Sequence, residues 1–269
     1  IPGYETFLIS PSCLVIQELA STAPLVYIFA TKNGGSALIV TSETVQLVDL
    51  PSLYDYRVDF QVASTFNVLS EYASGSFPPE LLLQGTTYMD KYLEIHNRDD
   101  HNGKLDAWKN SLDETTSWLW DIAMLPIISK LKEMKFSGSQ VVLIPLGKLA
   151  LLPLHAAWVS DSSQPCGRQY ALDFFAFTYA PSALALMHAR SRAKKVKGEK
   201  LLVIENPGLF FSEPAAQVAL SLFGDSTYLR GEAANFDAVQ QAFQNHNILY
   251  FLTHGIARFD EPLQSTLNL

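Results

Sequence analysis

Three uninterrupted apolar runs in the second half of the chain limit the folds that are open to it. They are QVVLIP at 140–145, LLVIE at 201–205 and NILYFLT at 247–253. A half-exposed strand alternates apolar and polar residues, so runs that are apolar throughout favour parallel strands covered on both faces. Helices are predicted between these runs over 181–193, 213–223 and 232–243. The alternation of strand and helix predicts an α/β fold for this half.

The first half carries a different pattern, in which short β-rich runs are separated by turn residues. The runs are LVYIFA at 25–30, SALIVT at 36–41 and TVQLVDL at 44–50. Asn33-Gly34-Gly35 and Ser42-Glu43 lie between them, and residues of these types favour tight turns. We therefore predict an antiparallel meander.

Two helices are predicted from Asp106 to Met134, where apolar residues recur at helical spacing and Pro126 is placed to begin the second helix. The tryptophans of this segment are interpreted as core residues rather than as a ligand-binding cluster: Trp108, Trp118 and Trp120. The more polar stretch 55–104 is predicted to hold one or two helices and an exposed loop at 97–103. A second loop is predicted at 160–168.

The composition is that of a globular protein whose main ligand is neither nucleic acid nor membrane. Apolar residues make up 48% of the chain, and the net charge is -8. An acidic chain without a long Lys/Arg run does not suit a phosphate backbone. The basic cluster from Arg190 to Lys197 is interpreted as the solvated end of a helix. No apolar stretch reaches the roughly 20 residues that cross a bilayer and nothing near Ile1 resembles a signal sequence, so we expect a cytoplasmic protein.

The two cysteines do not suggest a disulfide or a metal site. Cys13 and Cys166 lack the spacing of metal ligands and lie in different sequence neighbourhoods. We expect reduced thiols and no cofactor. The chain begins at Ile1 without an initiator Met and ends at Leu269 within an extended segment. We therefore expect the polypeptide to continue at both ends.

The strongest candidate for chemistry is His254, at the end of the last apolar run. Reactive groups in α/β sheets gather at the carboxyl ends of strands. A histidine there can take a proton from a nucleophile and return it to a leaving group. Gly255 would let a substrate backbone approach, and its amide could stabilise an oxyanion. The local pattern allows, equally, a structural interpretation in which His254 ends a strand and Gly255 makes a turn.

The order of four segments, rather than any single motif, resembles the CHAT family of caspase-like peptidases. They are VLIP at 142–145 through LPLHAA at 152–157, YAPS at 179–182, LRGEA at 229–233 and LTHG at 252–255. The resemblance runs from about Ala23 to the last residue, and the closing PLQSTLNL at 262–269 is similar to the family's stretch between its histidine and cysteine strands. Leu146 departs from the polar residue that the family often has after its strand proline, which we interpret as loop variation.

The resemblance implies a caspase-hemoglobinase-like fold, related to that of separases and caspases. This is an α/β parallel-sheet sandwich with an N-terminal β-meander plus helices. Three regions are expected: a lead-in over 1–22 from upstream helical repeats, a non-catalytic pseudo-caspase half over 23–138, and a caspase-like catalytic half over 139–269.

The resemblance also implies a Cys-His dyad that cleaves peptide bonds. His254 matches the family's catalytic histidine and Gly255 its oxyanion-hole glycine, whereas the nucleophilic cysteine is expected beyond Leu269. Cys166, in a polar loop, and Cys13, in an extended lead-in, are not expected to replace it. His155 is interpreted as structural. The other histidines are predicted to be surface residues: His96, His101, His188 and His246.

We expect a cysteine endopeptidase that acts on protein substrates and stays inactive until a partner orders its loops at 160–168 and 256–264. By analogy with the family, its partners would be upstream TPR-like helical repeats and, in bacterial relatives, an RNA-guided effector of a CRISPR-type antiviral defence system. The alternative is a non-catalytic scaffold or interaction module, in which the fold holds a partner and the histidine is a relic.

Overall fold

The computed structural model describes residues 11–62, 101–136, 139–195, 199–209, 211–256 and 262–268. Contacts between residues divide the chain into two units, Ile1–His188 and Ala189–Leu269, which we call the first and second units. Each unit contains a sheet with helices packed against it, and each is described by itself.

A five-stranded sheet forms the centre of the first unit. Its strands are β1 (Leu25–Thr31), β2 (Gly34–Val40), β3 (Val45–Leu50), β4 (Gln140–Pro145) and β7 (Ala176–Tyr179). Two further strands, β5 (Trp158–Ser160) and β6 (Arg168–Tyr170), form a separate hairpin. The strand order is β3-β2-β1-β4-β7. The first three strands pair antiparallel, which confirms the predicted meander, and β4 lies parallel to both β1 and β7.

The turn between β1 and β2 shows why two glycines stand side by side. Gly34 has a φ of +112°, a conformation that side chains disfavour. A Cβ on Gly35 would lie 2.6 Å from the backbone oxygen of Phe29. The hydroxyl of Thr31 closes the turn by donating to the Gly34 oxygen at 2.6 Å. The predicted turn is therefore confirmed, with a steric reason for each glycine.

Helices cover both faces of this sheet. They are α1 (Cys13–Leu19), α2 (Asp55–Val62), α3 (His101–Leu119), a π-helical turn (Trp120–Met124), α4 (Leu125–Glu133) and α5 (Ala183–Lys195), which crosses the division between the units. On β4, Val141 and Leu143 belong to the core that contains residues of α2, α3 and α4. Val142 and Ile144 belong to the opposite core, with α1 and the start of α5. An uninterrupted apolar run is therefore required for β4, because both of its faces are buried.

The helical prediction for 106–134 is confirmed, and its Pro126 lies in the first turn of α4. Trp120 is buried in the core, and Trp118 packs against it. The loop predicted at 97–103 is wrong for residues 101–103, which are the first residues of α3, and 97–100 lie outside the described residues. The expectation of an extended lead-in around Cys13 is also wrong, because Ser12 caps α1 and Cys13 is its first residue. The sequence contains the serine that caps this helix, but the apolar pattern after it is too short to predict a helix.

The loop predicted at 160–168 is the turn of the β5–β6 hairpin, and an ion pair attaches it to α3. Ser160 pairs with Arg168 at its base. The Arg168 guanidinium donates two hydrogen bonds to Asp113, at 2.9 and 2.8 Å. It also stacks on Trp158, with Cζ 3.8 Å from the ring centre, and the Trp158 indole N–H donates to Thr116. The hairpin is therefore bound to the helix through one planar cation.

Replacing Arg168 by lysine is expected to destabilise the first unit by about 1 kcal/mol, because an ammonium group keeps the charge but loses the paired hydrogen bonds and the planar stacking. Tryptophan fluorescence during chemical denaturation measures this, since every tryptophan of the chain precedes Ala189. The control is Lys109→Ala, which removes an exposed ion pair with Asp106 on the same helix and should cost less than about 0.5 kcal/mol. Equal midpoints for the two variants would contradict the structural role of the planar group.

Three parallel strands between two helices form the second unit. The elements are β8 (Lys200–Glu205), α6 (Ser212–Leu222), β9 (Asp225–Arg230), α7 (Phe236–Phe243), β10 (Ile248–Leu252), β11 (Gly255–Ile256) and β12 (Thr266–Leu267). The order of the parallel strands is β10-β8-β9. Leu201 and Val203 pack towards Ala216 of α6, and Leu202 and Ile204 pack towards Val239 of α7.

The α/β prediction is confirmed: all three apolar runs are parallel strands and the predicted helices are present. The runs do not share one sheet, however, because β4 pairs with β1 and β7 in the first unit while β8 and β10 pair in the second. Contacts thus divide the chain after His188, whereas the boundary between 138 and 139 stays a prediction. Among the described residues, no helix combines the length and the apolar character needed to span a bilayer.

Candidate functional site

His254 lies at the carboxyl end of the parallel sheet of the second unit. It follows β10 by two residues, immediately precedes β11, and its side chain is exposed. In the part of the chain that the structure describes, no side chain hydrogen-bonds to its imidazole. The ring is therefore accessible for proton transfer at the edge of the sheet where parallel α/β proteins place their ligands.

A short antiparallel hairpin continues directly from this histidine. Gly255 pairs with Leu267 and Ile256 with Thr266, while the Asn268 amide donates to the His254 carbonyl at 2.8 Å. In an antiparallel ladder hydrogen-bonded and non-hydrogen-bonded pairs alternate, so this bond makes Gly255 and Leu267 a non-hydrogen-bonded pair. The Gly255 N–H is consequently directed away from β12. It is a backbone donor beside the imidazole that the hairpin does not use.

An open cavity of about 390 Å³ adjoins the hairpin, lined by Gly255, Ile256 and residues 265–267. A Cβ on Gly255 would meet Leu267 Cδ2 at 3.6 Å, an ordinary contact, and the glycine has no left-handed φ. The structural interpretation in which Gly255 makes a turn is therefore wrong, because the residue lies in β11.

The same edge of the sheet holds a buried charge cluster that sequence reasoning missed. Glu205, the last residue of β8, is 0% exposed. Its carboxylate accepts hydrogen bonds from the Ser212 hydroxyl, at 2.7 Å, and from the Tyr228 hydroxyl, and it pairs with Arg230 at 3.4 Å. Arg230 also pairs with the exposed Glu213, at 2.9 Å. The cluster ties β8, β9 and the first turn of α6 together.

These partners change the protonation behaviour of the cluster. Burial by itself would raise the pKa of Glu205, but the hydrogen bonds from Tyr228 and Ser212 and the positive charge of Arg230 outweigh it and lower the pKa. Burial and the neighbouring carboxylate raise the pKa of Tyr228 to about 12. Glu205 is therefore a carboxylate at neutral pH with its oxygens already engaged, and we assign it a structural role.

The other histidines fall into different environments. His155 Nδ1 is 2.9 Å from the Tyr179 hydroxyl, and its backbone N–H donates to the same oxygen, which agrees with the structural interpretation. His188 is exposed, as predicted. The surface prediction for His246 is wrong, because its half-buried ring bridges the Ala242 carbonyl and the Thr227 hydroxyl. The side chains of His96 and His101 lie outside the described residues.

Both cysteines of the chain belong to the first unit. Cys13 begins α1 and Cys166 lies in the β5–β6 turn, where its thiol donates to the Arg168 carbonyl at 3.2 Å. Both are free thiols in the first unit. Among the described residues, no cluster of His, Cys, Asp or Glu has the composition of a metal site.

A protein-family model matches this chain. The model of the CHAT domain matches residues 113–269, which is more than half of the chain and includes the whole second unit. No curated protein sequence matches significantly. The mixed α/β architecture with parallel strands and flanking helices is compatible with a caspase-like fold. The chain therefore belongs to the CHAT-domain family, which is related to the caspase-like cysteine peptidases.

Proposed function

We propose that this protein is a caspase-like cysteine endopeptidase in which His254 is the general base. The observation that carries the proposal is an exposed imidazole at the carboxyl edge of a parallel sheet, beside a Gly255 N–H that the β11–β12 ladder does not use. Membership of the CHAT family supports the same reaction class. Peptide-bond hydrolysis needs a base, an oxyanion donor and a nucleophile, and the first two are adjacent residues here.

The reaction would proceed in two steps. His254 accepts the proton of a cysteine thiol, and the thiolate attacks the peptide carbonyl while the Gly255 N–H donates to the developing oxyanion. The protonated imidazole then donates its proton to the leaving amine, and the C–N bond breaks. In the second step His254 takes a proton from water while the water oxygen bonds to the acyl carbon, and the C–S bond then breaks to release the carboxylic acid. The protonated imidazole returns its proton to the cysteine thiolate, which restores the enzyme.

The thiol is proposed to lie beyond Leu269, on a strand that adds to β10. Within the described residues β10 pairs with β8 on one side and with no strand on the other. Leu249 and Tyr250 are 42% and 37% exposed on this strand, an unusual exposure for residues of an apolar run. A parallel strand on that edge would bring its carboxyl end to the side where His254 lies.

We propose partners on the basis of the family alone. They are a protein substrate, an upstream segment of TPR-like helical repeats and an activating partner, such as an RNA-guided effector complex in CRISPR-type antiviral defence. A cytoplasmic location is part of the same proposal.

The test is covalent labelling of the full-length protein by a peptide that carries a thiol-reactive electrophile. We expect a single cysteine C-terminal to Leu269 to be labelled, and labelling to fall at least about tenfold in His254→Ala, because the thiolate is the reactive form. Cys166→Ser serves as the control and should not change labelling. Preferential modification of Cys13 or Cys166, or equal labelling with and without His254, would favour the non-catalytic scaffold instead.

A further inference from the structure

Asn206 lies between the buried charge cluster and His254. It follows β8 directly and is half-buried. We propose that Asn206 is a positioning residue that holds the His254 segment on both sides, by its backbone N–H at Leu252 and by its side-chain amide at Asn268. This proposal rests on the proposed function, since it concerns the geometry of the same imidazole.

Asn206 binds the chain before the histidine through its backbone. Its N–H donates to the Leu252 carbonyl at 2.9 Å, which extends the β8–β10 ladder by one bond beyond Glu205 and Leu252. Leu252 is only two residues before His254. The amino-terminal side of the segment therefore cannot shift without breaking this bond.

The side chain of Asn206 binds the hairpin that follows His254. Its Nδ2 donates to the Asn268 carbonyl at 3.4 Å, and the Asn268 amide donates in turn to the His254 carbonyl at 2.8 Å. One residue thus contacts β10 directly and the β11–β12 hairpin through Asn268. His254 lies between these two attachments.

A further hydrogen bond, to Oδ1, fixes the orientation of the Asn206 side chain whose Nδ2 contacts Asn268. The Gly208 N–H donates to Asn206 Oδ1 at 3.0 Å, and the Leu209 N–H donates to the Asn206 carbonyl at 3.2 Å. These bonds form a turn that leads into α6 and orient the amide so that Nδ2 faces Asn268. The site requires an acceptor and a donor on one short side chain, and only asparagine has both at this length.

The substitution Asn206→Asp tests the donor of the side-chain amide separately from its acceptor. Aspartate keeps the acceptor for Gly208 but replaces the Nδ2 donor by an oxygen that faces the Asn268 carbonyl. In the full-length protein we expect kcat for peptide cleavage to fall about tenfold while KM changes less than about twofold, because misplacement of a catalytic group costs rate rather than binding. We also expect hydrogen exchange at the Asn268 amide to accelerate about fivefold, because its hairpin is no longer held.

The control is Asn247→Asp at the opposite, amino-terminal end of the same two strands. Asn247 Oδ1 accepts from the Lys200 N–H at 2.9 Å, an interaction that aspartate preserves. This variant should leave kcat and exchange at Asn268 unchanged.

Two results would overturn the proposal: exchange at Asn268 that is the same in Asn206→Asp and wild type, or a fall in kcat that Asn247→Asp reproduces. The exchange measurement does not depend on catalysis. If the wild-type protein cleaves no peptide, the proposed function fails, and accelerated exchange at Asn268 would still support the positioning contact.

Discussion

Replacing Glu205 by alanine is expected to destabilise the second unit by about 3 kcal/mol. The carboxylate is fully buried and engages Ser212, Tyr228 and Arg230. Alanine removes the buried charge that these three groups surround, leaves the Tyr228 hydroxyl without its acceptor and opens a cavity between β8, β9 and α6. The Ser212 hydroxyl keeps only the Leu209 carbonyl as its acceptor. Hydrogen exchange of the β8 amides measures the loss, and it should accelerate by about a hundredfold if these amides exchange by unfolding of the unit.

The matched control uses the other carboxylate that pairs with Arg230. The Glu213 side chain is 56% exposed, and Glu213→Ala should cost less than about 0.5 kcal/mol because water replaces the lost interaction. Comparable acceleration of exchange in the two variants would show that burial is not the source of the stabilisation by Glu205.

The Glu205 contribution should also depend on pH in one direction. Burial raises the pKa of Glu205, but the hydrogen bonds and the positive charge around it lower the pKa by more; these come from Tyr228, Ser212 and Arg230. The pKa of Glu205 in the folded state is therefore below that of an unfolded glutamate. A lowered pKa means that the stabilisation is complete above about pH 4.3 and is lost as the pH falls through the folded-state value. The stability difference between wild type and Glu205→Gln should therefore narrow when the pH is lowered from 7 to about 3. A difference that widens on acidification would contradict the assigned charge state.

His254→Ala is expected to lower kcat/KM for peptide cleavage by at least about a hundredfold. The imidazole is the proposed proton acceptor for the thiol and the proton donor to the leaving amine, and alanine can do neither. Its side chain is exposed, so the loss of packing is small and the variant should fold. The assay compares full-length wild type and variant at equal folded concentration, with the activating partner present, and exchange of the β8 amides verifies that the fold is intact.

His188→Ala is the control for this measurement, because His188 is an exposed histidine on α5. It should retain full activity. If His254→Ala and wild type cleave at the same rate, the general base is another residue. If both are inert with every partner, the scaffold function replaces the peptidase.

Strand prediction succeeded where the sequence is apolar throughout. The runs that became β4 and β8 are visible without any alignment, because both faces of these strands are buried and exclusion of water requires apolar residues throughout. The run that became β10 was predicted on the same pattern, although its residues are half-buried or exposed in the described structure. The strands β7 and β9 were not predicted. Both lie at the edges of their sheets, and their residues are largely half-buried or exposed, so that AFTY and DSTYLR carry no uninterrupted apolar pattern.

Prediction of the contacts around His254 was limited because they join residues that are far apart in the sequence. His254 follows an apolar strand at once, so its place at a sheet edge could be derived locally. The two hydroxyls that donate hydrogen bonds to Glu205 are 7 and 23 residues away from it, and Asn206 contacts a residue 62 positions later. His246 is predicted to be a surface residue, yet its ring contacts the hydroxyl of Thr227, which is 19 positions away in the sequence. Local pattern carries no information on such pairs.

By itself, the sequence determined the α/β class, the meander, the resemblance to CHAT domains and the position of His254 at the end of a strand. These features depend on side-chain period, turn residues and burial, which act within a few neighbouring residues. Only the tertiary structure decided that β4 and β8 belong to different sheets, that Glu205 is a buried carboxylate, and that Asn206 contacts both sides of the His254 segment. Those features depend on hydrogen bonds between remote segments, whose partners are chosen by strand pairing in three dimensions.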